Sequence, residues 1–157
     1  MELWDAYDKD MNIIKGLTLV RGEPFSNDNI FHMVVDIGVI HRDGTYLLMK
    51  RDLNKTHPGE WEFTAGGSVI KGEKPIEAAY RELKEETGII GETLIEVGRS
   101  IRVDRHAIYV LYLCHSDCSK DSVILQKGET IDYQWVNKDD ADILVTSDDL
   151  KRTYKYI

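Results

Sequence analysis

Positive charge is in short supply in this chain. Among 157 residues, 20 Lys and Arg stand against 28 Asp and Glu, a formal net charge of −8. An acidic surface repels a polyanion, which argues against a protein that coats a nucleic-acid polymer. A small anion drawn in by a metal cation is still compatible with that charge. Cysteine is scarce as well: the 2 residues, Cys114 and Cys118, flank His115 and cannot build a disulfide framework. A closed structural zinc site needs four ligands, usually in two separated pairs, and Cys-His-x-x-Cys falls short of that. No apolar run approaches the roughly 20 residues that span a bilayer. The start, Met1-Glu2-Leu3-Trp4-Asp5, is acidic and lacks the basic and then apolar segments of a secretory signal. The expectation is a soluble, cytoplasmic protein that makes no membrane contact. Internal repeats and low-complexity tracts are absent too, which removes solenoid, collagen-like and disordered classes.

What is present suits one domain: 42% hydrophobic residues in a chain long enough to bury a core unaided. Residues 1–29 are polar and rich in turn formers, and read as an N-terminal extension with a hairpin through Ile13–Val20. Residues 30–157 form the main domain. Phe31–Ile40 is rich in β-branched residues and predicts a strand, with a turn at Arg42-Asp43-Gly44 and a second strand at Thr45–Lys50. Trp61–Thr64, Thr93–Val97, Arg99–Val103, Ala107–Cys114 and Tyr133–Val136 read as further strands. A helix is predicted over Pro75–Thr87, since proline suits its first position and Gly88 the residue past its last turn. The tail from Thr146 predicts a terminal helix capped by Thr146 or Ser147. Strands on either side of one strong helix indicate a mixed α/β or α+β domain.

At ~100° per residue, Ile76, Ala79, Tyr80, Leu83 and Thr87 share one stripe of that helix, the expected buried face. Glu82, Glu85 and Glu86 cluster on another side, where their mutual repulsion weakens the helix unless a cation offsets it. Solvent, Arg81 and Lys84 supply one such offset. A divalent cation supplies another: Mg²⁺ and Mn²⁺ prefer hard oxygen ligands, and Mg²⁺ commonly shares a site with phosphates.

The wider spacing favours the second. Gly67, five residues, Glu73, seven residues, then Arg81-Glu82-Leu83-x-Glu85-Glu86-x-Gly88-Ile89 resembles the signature of the Nudix (MutT-type) hydrolases, with every fixed position filled. At roughly 5–7% usage per residue type, a chance match is on the order of 10⁻⁸. A looser likeness, including Leu47–Arg51 and Trp61-Glu62-Phe63, extends over most of residues 31–137. The resemblance implies a Nudix fold, a mixed sheet packed between helices, and hydrolysis of a diphosphate joined to another group X, often in a nucleoside diphosphate derivative. It makes Glu82, Glu85, Glu86 and the Gly67 carbonyl the shell for Mg²⁺ or Mn²⁺. The glycine pair Gly66-Gly67 is expected to turn the backbone tightly. Arg81 is expected to pair with Glu73 and hold the loop Ser68–Lys74, a forked contact that lysine makes less well.

The resemblance implies a base or water-orienting group that is either one of the box glutamates, Glu82, Glu85 or Glu86, or a carboxylate on a loop before a late strand; Glu129 lies on such a glycine-led loop, and Asp132 is the weaker choice. Arg51 closes the second strand and is a candidate substrate contact. Trp61 and Phe63 suit the core or a nucleobase stack. His32, His41, His57 and His106 have no partner spacing that singles them out. Two rival readings arise. Trp4-Asp5-x-Tyr7-Asp8 and Arg21-Gly22 resemble the isopentenyl-diphosphate isomerase-like branch, yet Gly66 and Ser68 stand where that isomerase needs a cysteine and a histidine ligand. A non-catalytic nucleotide-binding module is the other, although such modules usually lose metal-binding glutamates. Homodimers are common in the family, and the extension is a candidate contact for one.

Overall fold

The structure is a computed structural model that describes residues 1–157. It opens with a two-stranded antiparallel hairpin, β1 (Leu3–Tyr7) and β2 (Ile13–Val20). A seven-stranded mixed sheet follows, built from β3 (His32–His41), β4 (Tyr46–Arg51), β5 (Trp61–Phe63), β6 (Ala65–Ser68), β7 (Leu94–Arg102), β8 (Ala107–Ser116) and β9 (Thr130–Val136). Its order is β5-β4-β3-β8-β7, with β6 paired to β3 and β9 to β4. One edge of β3 is shared. β4 meets it at Ile40, while β6 meets it from Val34 to Ile37. The other edge carries β8 in parallel over the whole strand.

Period-2 alternation sorts the side chains of β3 between two layers. Met33, Val35, Ile37 and Val39 join Ala78, Ala79 and Leu83 of helix α1 (Pro75–Thr87) in the larger core. Ile40, Leu48, Phe63 and Leu113 join Ala141 and Val145 on the opposite side, around α2 (Lys138–Leu144). The sheet is therefore packed between helices. The hairpin is stitched to the same body: Tyr7 belongs to the larger core and exchanges backbone hydrogen bonds with Phe31, both at 2.9 Å.

Several expectations need correction. The two strands predicted over residues 93–103 are one, β7, interrupted by a bulge between Glu96 and Gly98 that lets it bend without ending. The tail is no α-helix. It forms two short 3₁₀ turns, Asp148–Leu150 and Arg152–Tyr156, and Ser147 makes no side-chain cap. The helix lies earlier, at α2, capped by Asn137, whose side chain accepts the Asp140 N–H at 2.9 Å. On α1, Tyr80 is 41% exposed and Glu86 only 3%, so the buried face is turned toward the glutamates. No helix is long and apolar enough to cross a membrane.

Candidate active site

Two glycines and one helix shape the site. Gly66 and Gly67 do not form a tight turn. Both lie in β6 and neither has a positive φ; the reversal occurs one step earlier, at Thr64 (φ 66°), whose buried hydroxyl donates to the Leu47 carbonyl at 2.7 Å. The glycines are needed for clearance instead, on opposite faces of the strand. Gly66 pairs with Asp36, and a Cβ on it would sit 2.6 Å from Asp36 Oδ1 and 2.7 Å from the Val35 carbonyl. Gly67 faces the other way, against the Glu82 carboxylate, which already occupies the space any side chain there would take.

Pro75 opens α1, and the Glu77 side chain accepts the Lys74 N–H at 2.8 Å, while Gly88 ends the helix in the left-handed region (φ 76°). Leu83 anchors the middle of the helix, 1% exposed. Arg81 reaches back over the box loop, donating through Nε to Glu73 Oε1 at 2.8 Å and through an amino group to Glu73 Oε2 at 3.0 Å. The same guanidinium donates to the Ser68 carbonyl at 3.0 Å and to Glu82 at 2.5 Å.

Glu82, Glu85, Glu86 and Glu129 line one cleft of about 250 Å³, with Gly67 on its wall. Burial raises the Glu82 carboxyl above its ordinary range, with Glu85 and Glu129 adding to the rise. Glu86 is raised further, first by burial and then by Glu62 beside it. Glu86 is buried without a hydrogen-bonded or ion-paired partner of its own. The chain's cations satisfy the others in part. Arg81 holds Glu82, and also reaches Glu85 at 3.4 Å, while the Lys55 ammonium pairs with Glu129. No three carboxylates converge on a single point. Such a set of hard, negatively charged oxygens around an unpartnered buried glutamate fits a divalent cation.

A second, larger cavity of about 310 Å³ adjoins the cleft, and the two share Arg21, Lys55 and the strand Gly66–Ser68. Arg51 lies on its wall but is engaged internally, donating to Glu62 at 2.8 Å and to the Thr56 carbonyl at 2.7 Å. Phe63 is core, 4% exposed, with its ring over Gly38. His106 stacks on Phe25, 4.4 Å between ring centres, away from the cleft. Neither cysteine is in either cavity; Cys114 is buried and its thiol is pushed up to about 12 by burial.

Residues that sequence reasoning missed include Lys55, Asp36 and Arg152. Asp36 had a visible signal, a lone acid inside the apolar run of β3. Arg152 had none, because its position depends on the C-terminal turns.

The sequence pattern of the NUDIX domain matches residues 31–156. An uncharacterized Nudix hydrolase of Listeria monocytogenes is 29% identical over 151 residues, covering 94% of this chain and 86% of its own. The nucleoside triphosphatase NudI of Salmonella arizonae is 35% identical over 116 residues, 65% of this chain and 79% of its own. Among solved structures, a Deinococcus radiodurans protein superposes with a TM-score of 0.75 at 17% identity, covering 98% of both chains. The E. coli dihydroneopterin triphosphate pyrophosphohydrolase gives 0.63 at 20% identity, over 81% of this chain and 96% of its own. Together with the filled box and the carboxylate cleft, these matches establish that the chain belongs to the Nudix family of hydrolases, which act on phosphorus anhydrides.

Proposed function

We propose that the protein is a divalent-cation-dependent pyrophosphohydrolase that cleaves the diphosphate linkage of a nucleoside diphosphate-X or a related compound. The observation that carries this reading is Glu86, a buried carboxylate with no protein partner, facing a cleft shared with Glu82, Glu85 and Glu129. Glu82, Glu85, Glu86 and the Gly67 carbonyl would hold Mg²⁺ or Mn²⁺. The cation would neutralise phosphate oxygens and lower the pKa of bound water. Arg81 keeps the box loop and the glutamate helix in one register through Glu73. Glu129 orients the attacking water and holds its proton, once Lys55 is released from it toward the incoming phosphate. Arg51 serves the site by fixing Glu62 behind Glu86, and its remaining reach is toward the adjoining cavity. Relatives named as a nucleoside triphosphatase and a pyrophosphohydrolase support this class of substrate.

Isomerisation of an isoprenoid diphosphate is the poorer reading, since it needs a thiol in the cleft and Gly66 stands where that thiol belongs. A pure binding module has one observation in its favour: a Nudix domain of Shewanella oneidensis NrtR superposes with a TM-score of 0.66 and was crystallised with ADP ribose. The test is release of phosphate or nucleoside monophosphate from a panel of ADP-ribose, dinucleoside polyphosphates, nucleotide sugars, CDP-alcohols and nucleoside triphosphates, with Mg²⁺ or Mn²⁺. Turnover abolished by EDTA supports the hydrolase; saturable binding without turnover replaces it with the module.

A further inference from the structure

Arg51 ends β4 and Trp61 begins β5, and the nine residues between them, 52–60, reach both cavities through Lys55. None of the nine is buried, and Leu53, the one large apolar residue among them, is 70% exposed. A loop with no apolar anchor gains little from burial to offset the entropy of ordering it. In place of a core it has a guanidinium. Arg51 donates through Nε to the Thr56 carbonyl at 2.7 Å, through one amino group to Thr56 Oγ1 at 3.1 Å and through the other to Glu62 at 2.8 Å. The backbone closes around that side chain. The Arg51 carbonyl accepts the Gly59 N–H at 3.1 Å, and the Arg51 N–H donates to the Glu60 carbonyl at 2.9 Å. His57, next to Thr56, is held in the left-handed region (φ 53°), a conformation that persists only where its surroundings impose it.

The two cations of this region are placed for different work. The Arg51 side chain is 11% exposed, and Thr56 and Glu62 engage three of its five N–H donors, so little of it is open to a ligand. Lys55 stands at the junction of the cavities, and its ammonium has the single partner Glu129. The Asp52 N–H donates to the Glu129 carbonyl at 2.9 Å, and the Lys55 N–H to the Asp52 carbonyl at 3.2 Å. The backbone that carries Lys55 is thus tied on one side to the Glu129 loop and on the other, through Thr56, to Arg51. A lysine is a point charge on a flexible stem, so where its ammonium can reach is set by where its backbone is held.

We propose that Arg51 is a positioning residue for phosphate capture: it shapes residues 52–60 so that Lys55 meets the substrate phosphates where the two cavities join, and it acts through Lys55 without touching the substrate. This rests on the reading of the cleft as a pyrophosphohydrolase site and deepens it on the substrate side. A second route runs from Arg51 through Glu62 to Glu86, and the experiment separates the two.

Methylenediphosphonate, a diphosphate mimic whose P–C–P link is not hydrolysed, reports on phosphate capture without turnover and whatever the group X is. Its affinity in the presence of Mg²⁺ is measured by titration calorimetry for the unaltered protein, Arg51→Lys, Lys55→Met and the double variant. Arg51→Lys keeps a charge facing Glu62 and loses the fork on Thr56. Each single variant is expected to bind about tenfold more weakly, the size of one hydrogen bond to a charged group. The double variant is expected to bind no more weakly than Lys55→Met alone, since residues that act through one another are not additive. The Mg²⁺-induced rise in melting temperature, measured without the mimic, is expected to be the same in Arg51→Lys as in the unaltered protein.

Effects that multiply in the double variant overturn the proposal by making Arg51 an independent contact. A smaller Mg²⁺ shift in Arg51→Lys overturns it by moving the effect to Glu62. Undiminished binding by Arg51→Lys overturns it too, as does absence of binding by the unaltered protein at millimolar concentration. Thr56→Val removes only the hydroxyl arm and leaves the Arg51–Glu62 pair whole, so it carries the test if Arg51→Lys does not fold. It is expected to weaken the mimic about threefold where Lys55 is present and not at all in Lys55→Met; equal weakening in both overturns the proposal. The failures are separable: coupled variants in a protein that releases no phosphate from the anhydride panel keep the positioning role and lose the hydrolase reading, while turnover of the panel beside uncoupled variants does the reverse.

Discussion

Arg81 grips Glu73 with two parallel hydrogen bonds, 2.8 and 3.0 Å, across the seven residues that separate them. One end of the fork is on the glutamate helix and the other on the loop that runs from Ser68 to it. The guanidinium also touches Glu82, so the pair sets the loop and a candidate ligand together. Arg81→Lys keeps the charge and loses the fork. A misplacement of about 1 Å in a catalytic array costs about 10²-fold. The expected outcome is a fall of that order in kcat/KM with a melting temperature lowered by only a few degrees, read by steady-state kinetics beside calorimetry. Unchanged kinetics would reduce Arg81 to a surface contact.

Glu86 predicts opposite movements of stability and activity. Its carboxyl is buried with no partner, and burial together with Glu62 holds it well above the ordinary carboxylate range. Glu86→Gln removes the like charge, so the metal-free protein is expected to melt at the same temperature or higher. Turnover is expected to fall by about 10²–10³-fold, the loss typical when a transition-state charge partner is removed. Mg²⁺ at 100 times its Kd should stabilise the unaltered protein by about 2.7 kcal/mol, and should do less for the variant. Equal metal-induced shifts in the two proteins would show that Glu86 is no ligand.

Glu129 shares the cleft and is paired with Lys55. Glu129→Gln is expected to lower kcat by about 10²-fold, within the range of general base catalysis, with KM and metal binding little changed. Lys55→Met should instead raise KM, because the ammonium is lost from the junction of the two cavities. A Glu129→Gln variant with full turnover moves the water-orienting role to a box glutamate.

His32, which does not line the cleft, gives the fold an acid-sensitive point. Burial depresses its pKa from 6.5 to about 4, its ring stacks on Trp4 at 4.1 Å, and Nδ1 has no hydrogen-bond partner. Between those two pKa values the unfolded chain binds a proton that the folded chain does not. Stability is therefore expected to fall as pH drops from about 6.5 toward about 4, by roughly 3 kcal/mol in all. His32→Phe keeps the stacking partner and removes both nitrogens, so its denaturation midpoint should lose this component of the pH dependence. Parallel profiles for the two proteins would place the acid sensitivity elsewhere.

How far the sequence could be read depended on the range of the interactions. Helix α1 was legible because Pro75, Gly88 and the spacing of the glutamates are local signals. The facing of Tyr80 and Glu86 was not, since Glu86 turns inward toward Glu62 of β5, which is distant from it in sequence. The glycine pair was located, but its physical role was mistaken for a turn. What makes side chains impossible there is Asp36 on one face and Glu82 on the other, neither near it in sequence. Helix α2 escaped notice because seven residues, several of them acidic, give too short a period, though Asn137 ahead of Asp139 and Asp140 is a capping signal. Arg51 was found as a candidate contact, while its engagement with Glu62 depends on strand pairing.

The parallel pairing of β3 with β8 joins His32 to Ala107 across 75 residues of chain. Contacts so distant in sequence form late in folding, because a long loop must close before they are made. As the chain leaves the ribosome, α1 is synthesised before β8 exists, and Glu129 and Arg152 follow near the end. A nascent chain thus carries its full glutamate helix beside β3 and β6, which precede it, before β8 has been made. The wall of the cleft that Gln126 and Glu129 supply is therefore added late, after every box residue is already in place.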